Sequence, residues 1–534
     1  MIEGIEHFTL GAMFTRQAEK YGDRTFLTFE GRKYGFAHLD QHTNRIANGM
    51  STLLGIGKGD HVALFLGNHP EFILTIGALA KLGAVAVPLN TAAKGEMLDY
   101  FLRQSDARVL IVDLDLLEKA RPIAKKIEAI TDIVAVTEGA DSTLPEGVLD
   151  FRELEVSDSN PPVVEIDYRD RMFLMYTSGT TGPSKGVISP HSQGLSIGRQ
   201  VAIAYSYSAD DVLYSCLPLF HGNAIWYSLM PAFVSGAQLV LARRFSGSGF
   251  WDEIVRSGAT QVNALGAMAN IVLKELDRLD RSRLKLRQMM VVPALDQKTA
   301  APLVDDLGIR VTSLYAQTET FAVTLYGPDE PIAKMGSAGR ARDHVTVAIL
   351  DDNDWVLPPN QVGEIAVRPM APSIMMDGYF QMPEETLKVM TTLWFHTGDR
   401  GYLDDDGYLY FVDRKKDSIR RRGENISAYE LEMIICRHPD IREAAAVAVP
   451  SELGEDDVLV YLVLEEGAAF DPGALIRYCD ANMAYFMVPR YLEAVSELPK
   501  TSSEKIEKYR LREWAAQRMG KIWDREVEGI KLQR

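Results

Sequence analysis

Only three cysteines occur in the 534 residues, at Cys216, Cys436 and Cys479. They stand far apart, so neither a disulfide framework nor a cysteine metal site can be read from them. Such scarcity fits a reducing compartment. Positive charge is also short: 57 Lys and Arg face 74 Asp and Glu, a formal net charge of -17. A duplex-binding protein presents a basic face, so nucleic acid is excluded as the expected partner. A small anion is not excluded, because a local cluster can oppose the average. No uninterrupted apolar run reaches the roughly 18 residues of a spanning helix, so no integral membrane segment is expected. The opening MIEGIEHFTLGAMF has no basic segment ahead of an apolar core and is not expected to be a secretion signal. A cytoplasmic protein is expected.

What the chain does have is the balance of an ordinary globular protein, 46% hydrophobic and 25% charged. Its length predicts more than one domain. In the first part, helical and strand-like patches alternate. HLDQHTNRIANGMSTLL (His38 to Leu54) carries helical apolar spacing, and HVALFLG follows as a buried strand. PEFILTIGALAKLGA is again helical; VAVPLN, VLIVDLD, AQLVLA, QVNALGA and RQMMVV read as strands. This rhythm predicts an α/β chain with layered, largely parallel and mixed sheets in a large N-terminal domain. The texture changes near Asp413, where DRKKDSIRRRG places six basic residues among the nine from Arg414 to Arg422. Beyond it a small α+β domain is expected, with Asp471 capping a helix that starts at Pro472. The domains are drawn as 1–415 and 416–534.

The densest chemical signal is YTSGTTGPSKGV, Tyr176 to Val187, directly after the apolar strand RMFLM. Glycines let backbone N–H groups turn toward an anion, and hydroxyls with a lysine add donors. A Walker A loop is excluded, since Lys185 is followed by Gly186 and stands apart from Gly182. On composition alone a surface loop explains the stretch too. Its order, however, resembles the signature phosphate loop of the adenylate-forming enzymes: acyl-CoA synthetases, firefly-type luciferases and peptide-synthetase adenylation domains.

Five further segments resemble that family in the same order. The resemblance implies that Thr177, Ser178, Gly179, Thr180, Thr181, Gly182 and Lys185 hold the outgoing phosphates of ATP, with Thr177 a weaker metal candidate. LPLFHG (Leu217 to Gly222) resembles the family's aromatic segment and implies that His221 borders an acyl pocket. Trp226, Tyr227, Ala316 and Phe321 are the other acyl-pocket candidates, although core packing explains the aromatics as well. SLYAQTET (Ser313 to Thr320) resembles the Tyr-Gly-x-Thr-Glu segment, with Ala316 where glycine is usual. By that likeness Tyr315 stacks on adenine, Thr318 meets the α-phosphate and Glu319 holds Mg²⁺, a cation that takes hard oxygens and shares them with substrate phosphates.

WFHTGDRGYLDDDGYLYFVDRKKD (Trp394 to Asp417) resembles a further family segment, and the resemblance implies that Asp399 and Arg414 contact the ribose and that Lys416 is the hinge. A carboxylate suits two vicinal hydroxyls, because its oxygens accept from both. RRGENIS (Arg421 to Ser427) resembles the loop of the thiol tunnel, where Gly423 lets backbone approach the pantetheine arm; the neighbouring cations, Lys415, Arg420, Arg421 and Arg422, suit CoA phosphates or a solvated charged linker equally. LPKTSSEKIEKYRLR (Leu498 to Arg512) resembles the family's C-terminal catalytic segment, which implies that Lys505 is the adenylation lysine, with Glu504 where glycine normally precedes it. Together these imply an AMP-forming acyl-CoA ligase that uses ATP, Mg²⁺ and coenzyme A on a small-molecule carboxylic acid. CDANMAYFMVPRYLEAVSELPKT and RRGENISAYELE resemble the crotonobetaine/carnitine–CoA ligase branch. Three alternatives stay open: a ligase that has lost adenylation, a luciferase-like oxidoreductase, and a non-catalytic nucleotide-binding protein. The acid and the oligomeric state, a homodimer included, are left open as well.

Overall fold

The computed structural model describes residues 9–137, 143–177, 183–320, 322–342, 344–414, 418–452, 454–499 and 506–532. Helices end where the glycines predict. Helix Phe36–Leu54 stops at Gly55, and helix Pro70–Leu82 stops at Gly83, both glycines lying in the left-handed region at φ 64° and 68°. Each glycine hands the chain to a buried strand, His61–Phe65 and Val85–Pro88, and these pair in parallel. The runs expected as strands are strands, with Ala107–Asp113, Gln238–Leu241, Gln261–Leu265 and Gln288–Val292 among them.

Contacts divide the chain into two compact units. The first comprises Met1–Thr91, Ser105–Met175 and Gly186–Asp413; the second comprises Ala92–Gln104, Tyr176–Lys185 and Arg414–Arg534. Two early segments thus join the C-terminal one, which a boundary drawn along the sequence has no means of expressing.

Among the described residues the first unit contains sheets of nine, seven and five strands. In the nine-stranded sheet, Arg310–Tyr315, Gln288–Val292, Gln261–Leu265, Val212–Ser215 and Gln238–Leu241 lie side by side, all parallel. Their carboxyl ends therefore share one edge, which is where open α/β sheets bind ligands. The five-stranded sheet is antiparallel and includes Val345–Leu350, Gly363–Pro369 and Trp394–Leu403. The fold is the expected one, layered α/β with mixed sheets.

One ionic knot braces the seven-stranded sheet. The ring of buried His69 lies with Nδ1 3.0 Å from Glu71 and Nε2 2.7 Å from Asp113. Burial opposes charge on the ring, but the two carboxylates outweigh it and His69 is pushed up to about 9. A folded-state value above the ordinary one means that the proton-bound form stabilises the fold. That contribution is complete below about pH 6.5 and is lost as pH rises through about 9. The denaturation midpoint is expected to fall between those limits, and His69→Gln is expected to flatten the fall. Equal slopes for parent and variant in urea titrations would count against it.

The second unit pairs Ile441–Pro450, Asp456–Leu464, Tyr491–Ala494 and Trp523–Asp524 in one sheet, beside the hairpin Ser418–Arg421 and Glu424–Ser427. Its helices include Ala428–Ile435, Pro472–Asn482 and Lys508–Arg518. Asp471 caps the second of these, accepting from the Ala474 N–H at 2.8 Å, with Pro472 in the first turn. Helix Gly95–Gln104 belongs to this unit, and Lys94 just before it reaches Asp480 at 3.1 Å.

Candidate active site

Strand Val212–Ser215 ends at the shared edge of the nine-stranded sheet and runs into LPLFHG. Buried Asn68 pins that segment. Its amide N–H₂ donates to the carbonyls of Leu217 and Ala242, both at 2.9 Å, and its oxygen accepts from the Leu219 N–H at 2.8 Å. The pinning delivers half-buried His221 to the start of a short helix, Gly222–Ala224. The chain then widens into a π turn over Ile225–Leu229. Trp226 is wedged against Gly194 and Gly222 and meets Phe173 edge-on, centroids 5.2 Å apart. Tyr227 is buried as well, and burial raises its phenol above the ordinary range.

Strand Arg310–Tyr315 ends one sheet position beyond Gln288–Val292, and its last residue makes the decisive contact. The Tyr315 hydroxyl donates to Asp399 Oδ2 at 2.8 Å. Gln317 Nε2 donates to the same oxygen at 2.8 Å and to the Thr397 carbonyl at 2.9 Å. Two motifs more than eighty residues apart are thereby tied at one carboxylate, which is 3% exposed. Half-buried Ala316 packs at the margin of the main core.

The backbone that follows is held from behind. Gln193 Nε2 donates to the carbonyls of Thr318, at 3.2 Å, and Thr320, at 2.6 Å. The Glu319 carbonyl accepts from the Met376 N–H at 2.9 Å, and Glu319 Oε1 accepts from the Tyr379 hydroxyl at 2.9 Å. Burial, reinforced by the Glu319 charge, keeps Tyr379 protonated well beyond the usual phenol range.

Other expected site residues belong to the second unit. Thr177 closes strand Arg171–Thr177, and Lys185 opens strand Lys185–Pro190; both are half-buried. Next to Lys185, the Ser184 carbonyl accepts from the Tyr100 hydroxyl at 2.7 Å, and the Ser184 N–H donates to Glu430. Burial pushes Glu430 up to about 6. Arg414 ends strand Leu409–Arg414. Gly423 turns the hairpin at φ 81°, where only glycine is at ease, and its N–H donates to Glu455 at 3.0 Å. Arg421 points inward: its Nε lies 2.7 Å from Asp457, and it donates to the Val488 carbonyl at 2.7 Å. That arginine is a core brace and not a partner for CoA phosphates; the expectation for it is corrected, because the hairpin turns its side chain into the domain. Ser178, Gly179, Thr180, Thr181, Gly182, Phe321, Lys416 and Lys505 lie outside the described residues.

Residues 14–380 match the AMP-binding enzyme family, and residues 430–505 match the AMP-binding enzyme C-terminal domain. The chain belongs to the AMP-binding enzymes. It is 32% identical to crotonobetaine/carnitine–CoA ligase from Salmonella heidelberg over 513 residues, 94% of this chain and 98% of that one. Its fold is similar to that of a double-mutant o-succinylbenzoate CoA synthetase from Bacillus subtilis bound with its product analogue (TM-score 0.82, 27% identity, 94% of this chain and 98% of the other). It is also similar to the amide bond synthetase McbA from Marinactinospora thermotolerans (TM-score 0.80, 25% identity, 94% and 99% covered).

In this AMP-binding enzyme, four site residues carry no signal in the sequence alone. Gln317 sits inside SLYAQTET, a motif whose likeness implies no role for it. Asn68, Gln193 and Tyr379 act through contacts between segments far apart in the chain, which periodicity and spacing do not reveal. Among the described residues no group of three or more His, Cys, Asp or Glu could hold a metal ion. A single carboxylate, oriented by Tyr379, fits Mg²⁺ that draws its remaining ligands from substrate oxygens and water. Tyr379→Phe keeps the ring and removes the bond. It is expected to lower kcat/KM about tenfold and to shift the Mg²⁺ titration upward, since a hydrogen bond to a charged group contributes roughly 1.5–3 kcal/mol. An unchanged Mg²⁺ dependence would leave Tyr379 a packing residue.

Proposed function

We propose that this AMP-binding enzyme is an ATP-dependent acyl-CoA ligase. It activates a carboxylic acid as acyl-AMP, releases pyrophosphate and passes the acyl group to the thiol of CoA. The observation that carries the reading is the convergence of Tyr315 and Gln317 on Asp399, with Glu319 held two residues further on, in a chain whose relatives include a CoA ligase.

A carboxylate is a poor acyl donor because its oxygen leaves badly. Attack by that oxygen on the α-phosphorus of ATP breaks the bond to pyrophosphate and leaves AMP as a good leaving group. Asp399 and Arg414 hold the ribose, Tyr315 supports the adenine, and Thr318 meets the α-phosphate. Backbone and hydroxyl donors from Thr177 to Gly182, with Lys185, receive the departing pyrophosphate. Glu319 holds Mg²⁺, which supplies charge neutralisation at the phosphates. Lys505 steadies the acid and α-phosphate as negative charge gathers. His221, Ala316, Phe321 and Trp226 border the acid. The smaller domain turns about Lys416, and Gly423 gives the pantetheine arm a close backbone approach, so that the thiol attacks the carbonyl and AMP departs.

The site of action is proposed as the cytoplasm, on the scarcity of cysteine. Among the described residues no helix is long and apolar enough to cross a membrane. The test is a carboxylic-acid panel with ATP, Mg²⁺ and CoA, read by mass spectrometry. At least one acid is expected to yield both acyl-AMP and acyl-CoA. Thioester from supplied acyl-AMP alone would mean lost adenylation, and nucleotide binding without either product would refute the ligase reading.

A further inference from the structure

The π turn after His221 encloses a polar cluster that the chemistry above leaves unused. Asn263, from strand Gln261–Leu265, faces this turn with its amide N–H₂ on the Asn223 side-chain oxygen, 3.4 Å from the Asn223 carbonyl and 3.3 Å from Ser228 Oγ. Asn263 is 3% exposed, Ser228 2% and Trp226 1%. Asn263 Oδ1 and Trp226 Nε1 are both buried and have no hydrogen-bond partner among the described residues. The indole N–H side of Trp226 lies against Gly222, immediately before Asn223. Half-buried Asn223 and His221 stand at the outer edge of the cluster.

A buried acceptor and a buried donor left unpaired each cost roughly 1–3 kcal/mol. Leucine at position 263 would fill a similar volume without that cost. A π turn is itself a rare geometry, found often at functional sites. Asn263, Asn223, Ser228 and Trp226 are uncharged, so nothing among these four selects a formal charge. A hydroxyl is able to donate to an acceptor such as Asn263 Oδ1 and to accept from a donor such as the Trp226 N–H; a neutral amide does the same. A trimethylammonium head has no N–H to donate, and an alkyl tail has neither group.

We propose that this cluster reads a hydroxyl or amide carried on the tail of the acid, an inference that rests on the acyl-CoA ligase reading above. The substrate class is a neutral acid with a hydrogen-bonding tail, and Asn263 with Asn223 determines that specificity. A site built to pair a substrate hydroxyl rejects the analogue that lacks it far more strongly than an apolar pocket rejects an extra group.

The test measures pyrophosphate release with matched acid pairs: straight-chain acids of four to ten carbons with and without a hydroxyl at each position, benzoate with its hydroxybenzoates, and a trimethylammonium acid. At least one hydroxylated acid is expected to exceed its unsubstituted partner in kcat/KM by on the order of 10²-fold. Asn263→Leu is expected to bring that ratio toward one, and Asn223→Ala, at a half-buried position, to lower it in the same direction. Unsubstituted or trimethylammonium acids equalling every hydroxylated one would overturn the proposal while leaving the ligase reading intact. So would a ratio unmoved by both variants. No release with any acid would overturn both.

Discussion

Lys505→Ala is expected to abolish acyl-adenylate formation and to spare thioester formation from supplied acyl-AMP. The asymmetry follows from where charge develops. In the first step an anionic carboxylate approaches a polyanionic triphosphate, so a cation on the α-phosphate and carboxylate stabilises the crowded state. In the second step the carboxylate charge is already gone, its oxygen bonded to the α-phosphorus, and the thiol needs a clear path. Removing one preorganised donor costs on the order of 10²–10³ in rate, roughly 3–4 kcal/mol. Pyrophosphate release with acid and ATP should fall by at least that factor. Conversion of synthetic acyl-AMP and CoA to thioester should change by less than about threefold, a difference under roughly 1 kcal/mol. Equal loss in both assays would remove the special role of Lys505. Glu504 stands beside it where the family has glycine, so Glu504→Gly is the natural companion variant.

Asp399→Ala is the second large effect. The carboxylate accepts from Tyr315 and Gln317 on one oxygen, and those two donors fix its plane for the ribose contact proposed above. Truncation removes the acceptor shared by Tyr315 and Gln317, and with it the proposed acceptor for the ribose. Charge-assisted bonds of this kind are about twice as strong as neutral ones. The KM for ATP is expected to rise by on the order of 10²-fold, with a smaller change in kcat. Replacing ATP by 2′-deoxy-ATP separates recognition from collapse. The parent enzyme should discriminate strongly against the deoxy nucleotide, and the variant should barely distinguish the two. Retained discrimination would take Asp399 out of the ribose site.

Much of the fold was legible because glycine punctuation and apolar runs are local signals. Gly55 and Gly83 end helices for a reason visible in the sequence, and Asp471 with Pro472 announces a helix start. The α/β rhythm therefore predicted layers correctly. The grouping of Ala92–Gln104 and Tyr176–Lys185 with the C-terminal segment was not legible, because it depends on packing between stretches hundreds of residues apart.

The candidate site divides in the same way. Tyr315, Glu319 and Asp399 stood out through motif order, a resemblance that composition and spacing alone could not have supplied. Their supports did not stand out: a glutamine at 193, a tyrosine at 379 and an asparagine at 68 look like ordinary core or surface residues until the hydrogen bonds are seen. Arg421 shows the opposite error, since a basic run suggests an anion site while the hairpin buries that side chain against Asp457.

The most direct measurement follows oxygen. An accepted acid is labelled with ¹⁸O in its carboxylate and turned over with ATP, Mg²⁺ and CoA. Activation through acyl-AMP predicts that one labelled oxygen per turnover appears in AMP, with pyrophosphate unlabelled. Thioester formation accompanied by unlabelled AMP, or by label in inorganic phosphate with ADP, would contradict it.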